Sequence, residues 1–238
     1  MIHWRKLPNG HYSLDEVIRI FSVSVFDVTP QEEARLDEIV REAQHFQETR
    51  RINDFDESLD TWIYANETSP TGYQNYRIIT DEILDYRARV KGEMIDQVIK
   101  QGIYEIYYHP SSRRLVALCR KEDAFKATGI FEVRFPMQLE KHKFNILGII
   151  EESTDVRGAR FNVQIETVTG VSLKGSNING TQYYLNMLQA GQLTGVVVTY
   201  DHGEKTVTFR ISVDGTLLFY TGLSEYECLD FIDMLYTI

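Results

Sequence analysis

The chain has 238 residues, of which 43% are hydrophobic and a quarter charged, the balance of a folded globular protein and not of a disordered one. Its formal net charge of -10 repels phosphate backbones and disfavours broad nucleic-acid binding, while suiting a basic partner. Two cysteines far apart, Cys119 and Cys228, exclude a Cys-x-x-Cys metal or redox centre and make a poor disulfide framework. The opening residues lack the apolar run of a signal peptide and no segment has the length of a membrane helix, so residence in the cytoplasm is the expectation.

In chain order, Ser13-Leu14-Asp15-Glu16 has the form of a capping box and predicts a short helix through Val25. Thr29-Pro30-Gln31-Glu32 combines a second box with proline at the first helical position, and the recurrence of Leu36, Ile39, Val40, Ala43 and Phe46 predicts a helix to about Arg50. A third helical region is expected from about Thr80 to Gln101, interrupted or kinked at Gly92. At Gly102 the period changes to two. The segments 103–108 and 114–120 predict a hairpin about Pro110-Ser111-Ser112, with 129–135 as a third strand and 143–151 pairing with 158–168 as two more.

After a Gly/Asn-rich loop, Gln182–Ala190 predicts a helix stopped by Gly191 and capped by Asn179 or Thr181. Three strands follow, the last two joined at Asp214-Gly215, residues that tolerate positive φ. Ser224-Glu225-Tyr226-Glu227 then caps a final helix that buries Leu229, Ile232 and Leu235. The fold class expected is α+β: an N-terminal helical region, then mainly antiparallel sheet with packed helices. The segments from 94 and from 183 share a helix, glycine, strand, turn, strand order, which suggests an internal helix-hairpin duplication. Eleven Lys/Arg face eighteen Asp/Glu over residues 1–95, so the division expected is an acidic helical region over 1–92 and a sheet domain over 93–238.

Several chemistries fail on inspection. Gly102-Ile103-Tyr104 begins as a GIY-type nuclease strand does, but Leu115-Val116-Ala117 stands where that chemistry needs a tyrosine and a glycine. The loop from Gly175 to Gly180 has phosphate-loop spacing, yet Thr181 occupies the position of the essential lysine. The start of the last helix is acidic where a double-stranded RNA-binding domain carries lysines. Six scattered histidines show no ligand spacing, so no catalytic residue, cofactor or metal is assigned.

Two surfaces remain. The acidic-aromatic run around Asp54, Phe55, Asp56 and Trp62 suits a basic protein partner, since exposed aromatic side chains beside acids make effective anchors. Tyr104, Arg113, Arg114, Arg120 and Lys121, in the basic stretch 103–134, form the alternative, a nucleic-acid contact or a nuclease-like enzyme with a dispersed site. The expected function is therefore a non-catalytic protein-binding component, such as an adaptor, inhibitor or complex subunit, with a structural assembly component as a further alternative.

Overall fold

In the computed structural model, residues 5–6, 12–13, 22–30, 44–135 and 137–238 are described. Among them the protein is α+β, dominated by an antiparallel sheet of twelve strands and carrying four α-helices. The short β1 (Arg5–Lys6) and β2 (Tyr12–Ser13) pair with each other. No helix among the described residues is long and apolar enough to cross a membrane. The chain divides into two compact units, one holding residues 1–26, 119–121 and 141–238, the other 27–118 and 122–140. The strand β3 (Ser22–Pro30) runs from the first into the second.

In the first unit the strand order is β11 (Val168–Lys174), β10 (Asp155–Ile165), β12 (Gly191–His202), β13 (Lys205–Ser212) and β14 (Thr216–Phe219). Ser22, Val23 and Ser24 of β3 continue this ladder beside β14. Alternation along β13 buries Val207, Phe209 and Ile211, the period-two pattern of a half-buried strand. The terminal helix Glu225–Leu235 lays Cys228, Leu229, Phe231, Ile232 and Leu235 onto that face. Its start is a true capping box: Glu227 N–H donates to Ser224 Oγ (3.3 Å) and Ser224 N–H to Glu227 Oε2 (2.8 Å). Thr181 caps the helix Gln182–Ala190, as one of the two expected residues, and the three C-terminal strands and the last helix lie where the sequence places them.

In the second unit the later part of β3 lies beside β8 (Arg114–Ala117), followed by β7 (Glu93–His109), β6 (Gln74–Val90), β5 (Phe55–Thr68) and β4 (Gln44–Ile52), with β9 (Met137–Lys141) on the other side of β3. The hairpin expected about Pro110 is present as β7 and β8. The helix α1 (Lys121–Arg134) places Ala124, Ala127, Thr128 and Phe131 inward, and Phe131 meets the Tyr76 ring edge-on at 5.4 Å.

The helical N-terminal region is corrected wherever the structure describes it. Val25, Thr29 and Pro30 belong to β3, and residues 44–50 to β4; positions 14–21 and 31–43 of the two expected helices lie outside the described residues. The region 80–101 is strand on both sides of a two-residue turn, Lys91-Gly92, with φ of 51° and 93°. Gly92 thus reverses the chain and does not kink a helix, and the boundary expected there falls at a hairpin tip. Ile78, Ile79, Ile83, Ile95, Val98 and Ile99 are β-branched, and their spacing fits a pleated strand as well as a helical stripe. With no helix before Gly102, the duplicated helix-hairpin unit also disappears.

Two expected strands are helices. Residues 129–135 fall almost wholly in α1, where the inward residues Ala124, Ala127 and Phe131 recur at helical spacing. Residues 146–152 form α2, which starts at Asn145, whose Oδ1 accepts from Gly148 N–H (3.1 Å). The strand 155–165 pairs with 168–174 and 191–199, not with 143–151.

Candidate protein-binding face

Strands β4 and β5 are joined by Asn53 and Asp54, both at positive φ (46° and 69°), which Asn and Asp adopt more readily than other side-chain-bearing residues. That turn sets the register Ile52↔Phe55 and, further along, His45↔Trp62. Trp62 pairs with Ile79, and Ile79 with Ile103. Because partners in register share a face, His45, Trp62, Ile79 and Ile103 form one row across four strands. The His45 and Trp62 rings stack 3.6 Å apart at 5°, and Tyr64 continues the stack at 5.9 Å and 10°. Trp62 is 37% exposed and Ile103 59%.

Acidic groups surround this row. Asp60 Oδ1 accepts from His45 Nε2 (2.8 Å) and Gln47 Nε2 (3.3 Å). Asp81 Oδ2 accepts from the Asp60 amide (3.0 Å). Glu105 takes Arg77 Nε at 2.6 Å and Asn75 Nδ2 at 3.1 Å. Three carboxylates thus stand against the guanidinium of Arg77, leaving a negative rim around a rigid aromatic and aliphatic strip.

The four acidic-run residues do not form one site. Phe55 is 69% exposed, but seven positions from Trp62 on one strand it lies about 23 Å away and on the opposite face. Asp54 sits in the turn, and Asp56 pairs with Arg51 at 3.6 Å. Trp62 therefore belongs with His45, Tyr64, Ile79 and Ile103, which sequence reasoning did not select. The signal was available as alternation in Trp62-Ile63-Tyr64 and in Ile103-Tyr104-Glu105, once both segments are taken as strands.

The basic set is dispersed. Tyr104 is 5% exposed, and Tyr107 and Tyr108 are buried as well, so these rings pack the core and offer no platform for a base. Arg113 is exposed in the left-handed region (φ 52°), and Arg114 is half-buried opposite His109. Arg120 and Lys121 lie in the first unit. Lys121 Nζ donates to Asp214 Oδ2 at 2.7 Å. Partial burial pushes the Asp214 carboxyl up, but hydrogen bonds from Lys121 and Ser212 and the charge of Lys141 hold it well below the usual carboxylate range.

The Gly/Asn-rich loop is folded onto an acid. Asn177 N–H (2.7 Å) and Ser176 Oγ (3.2 Å) both donate to Asp155. The Asn177 amide, with Arg157, holds the Asp155 carboxyl below its ordinary value. A carboxylate already occupying the loop amide opposes phosphate there. No protein-family model and no curated protein matches this chain.

Proposed function

We propose that the protein is a non-catalytic protein-binding component whose second unit docks a basic, partly apolar segment on the Trp62–Ile103 face. The observation that carries this reading is the exposed stack of His45, Trp62 and Tyr64, continued by Ile79 and Ile103 and rimmed by Asp60, Asp81 and Glu105. Preformed aromatic anchors at low entropic cost are what protein interfaces use at their centres. The surplus of carboxylates, in a chain of net charge -10, selects lysine- and arginine-containing partners and speeds their encounter. The chain has two cysteines far apart in sequence, and Cys228 is buried, which supports action in a reducing, cytoplasmic setting.

The test places a photo-crosslinking residue at Ile103 in the native host, with the same residue at Phe55, on the opposite face, as control. One protein joined at 103 and not at 55, and lost when Trp62→Ala is added, is the expected result. In a Trp4→Phe background Trp62 is the sole tryptophan, and a basic peptide from that partner should change its fluorescence, less so at high salt. Equal labelling at both sites, or binding that ignores Trp62→Ala, overturns the reading.

A further inference from the structure

The other face of β4, β5 and β6 carries a cleft of about 510 Å³ beneath α1, within the roughly 300–1,000 Å³ of small-molecule sites. Thr61 and Thr80, partners in register, line its floor, and Thr80 pairs in turn with Gly102 on β7. A Cβ at Gly102 would stand 2.6 Å from Glu82 Oε1 and 2.8 Å from the Tyr104 hydroxyl. Glycine is what lets the Glu82 carboxylate lie across β7. Glu82 Oε2 accepts from Lys126 Nζ at 2.7 Å, whereas Oε1 is buried and has no hydrogen-bond partner among the described residues. An unmet buried carboxylate oxygen costs free energy until a donor reaches it.

At the other end, the Arg134 guanidinium lies 4.0 Å over the Phe46 ring and forms no ion pair among the described residues. Its planar fork suits a carboxylate held two-pronged. Lys126 and Arg134 are eight residues apart on α1, or about 12 Å. Leu84, Phe125, Ile130 and Val133 line the cleft with them, and Phe125 and Val133 are 51% and 77% exposed. Among the described residues, the Lys126 ammonium is paired with Glu82 and the Glu48 carboxylate with Arg50, which leaves Arg134 as a cation without an ion pair, Glu82 Oε1 as an acceptor without a donor, and apolar walls between.

We propose that this cleft binds an elongated amphipathic carboxylic acid with a hydrogen-bond donor at its far end. The carboxylate sits on Arg134, the chain runs along the apolar wall, and the donor reaches Glu82 Oε1. This site is independent of the docking face, which lies on the opposite side of the sheet.

Calorimetric titration of the full chain with ω-hydroxydecanoate, decanoate and decanediol tests it. The hydroxy acid should bind tightest, and Arg134→Gln should weaken it about tenfold or more by removing a charge-assisted contact. Glu82→Met, which removes both oxygens at similar length, should abolish the preference for hydroxy acid over plain acid. Val133→Asp, at an exposed position, adds a repelling charge to the wall without disturbing the core and should weaken both acids. The proposal is overturned if the diol binds as well as the hydroxy acid, if Arg134→Gln and Val133→Asp leave binding unchanged, or if none of the three probes binds the folded protein.

Discussion

The two units treat their aromatic residues in opposite ways. In the first, Phe209, Phe219, Phe231 and Tyr200 form a closed cluster, with Phe231 edge-on to Phe209 at 5.0 Å and to Phe219 at 5.7 Å. The Tyr200 hydroxyl donates to the Ile149 carbonyl, and burial, then the nearby Glu152 charge, pushes its pKa up. In the second unit, Tyr76 and Phe131 pack inward, but Trp62, Tyr64 and His45 form an ordered stack at the surface. Stacking that is not burial stabilises the fold little and keeps rigid apolar area available to a partner. The first unit spends its aromatic surface on its own core; the second holds part of it outward.

This contrast predicts a large asymmetry between two truncations. Phe231→Ala removes a fully buried ring at the junction of the terminal helix and the sheet, and should cost about 3–5 kcal/mol. Trp62→Ala loses stacking on a partly exposed ring and should cost about 1 kcal/mol, while abolishing partner binding. Urea unfolding of both variants measures the difference. Comparable losses would mean that Trp62 is a core residue and would remove the docking argument.

The next effect concerns how the second unit holds its long hairpin. A register shift between Asp85 and Ala88 interrupts the β6–β7 ladder, and the Asn53 carboxamide serves the backbone there. Its Oδ1 accepts from the amides of Asp96 and Gln97 (both 3.1 Å), and its Nδ2 donates to the Gln97 carbonyl (2.6 Å). One side chain thereby ties the β4–β5 turn to β7. Asn53→Ala also loses a residue suited to positive φ, and should destabilise the second unit by about 1–3 kcal/mol. Hydrogen exchange should rise at Asp96 and Gln97 and stay unchanged in the first unit. Uniform loss of protection would instead show that both units unfold together.

The same asymmetry governs what could be read from sequence. The first unit's last helix has a capping box and a clean 3.6 period in Leu229, Ile232 and Leu235, and its strands alternate strictly, so local and tertiary preferences agree. In the second unit, Ile83, Leu84 and Val98 satisfy helical and strand spacing alike, and only the Lys91-Gly92 turn separates the two. Strand partners decide that question, and partners are not local. The docking row was hidden for the same reason: His45, Trp62, Ile79 and Ile103 come from four strands and meet only through register. Glu82 and Arg134, in a segment expected as helix and one expected as strand, were concealed twice.

The smallest effects are ionic and have opposite signs in the two units. In the first, Lys205 and the Ser224 amide hold Glu227 at about 2, below its ordinary 4.5. A carboxylate depressed on folding stabilises above its unfolded value and loses that contribution as the pH falls, here from about 4.5 towards 2. In the second, the hydrogen bond to Glu82 raises Lys126 above 10.5. A raised ammonium stabilises fully below its unfolded value and loses the contribution as the pH rises through the folded one. Lys205, Glu227 and the Lys126 ammonium are solvent-accessible, although Glu82 is not, so each effect on the titrating group is modest. Glu227→Gln should therefore shift the urea midpoint at pH 6 and cease to matter near pH 2, whereas Lys126→Met should matter at pH 8 and lose its effect only as the pH rises past 10.5 through the raised folded value. The capping box adds to the first effect, because protonated Glu227 accepts less well from Ser224 N–H. If the Glu227→Gln difference persisted unchanged to pH 2, its origin would be the helix cap alone and not the charge held by Lys205.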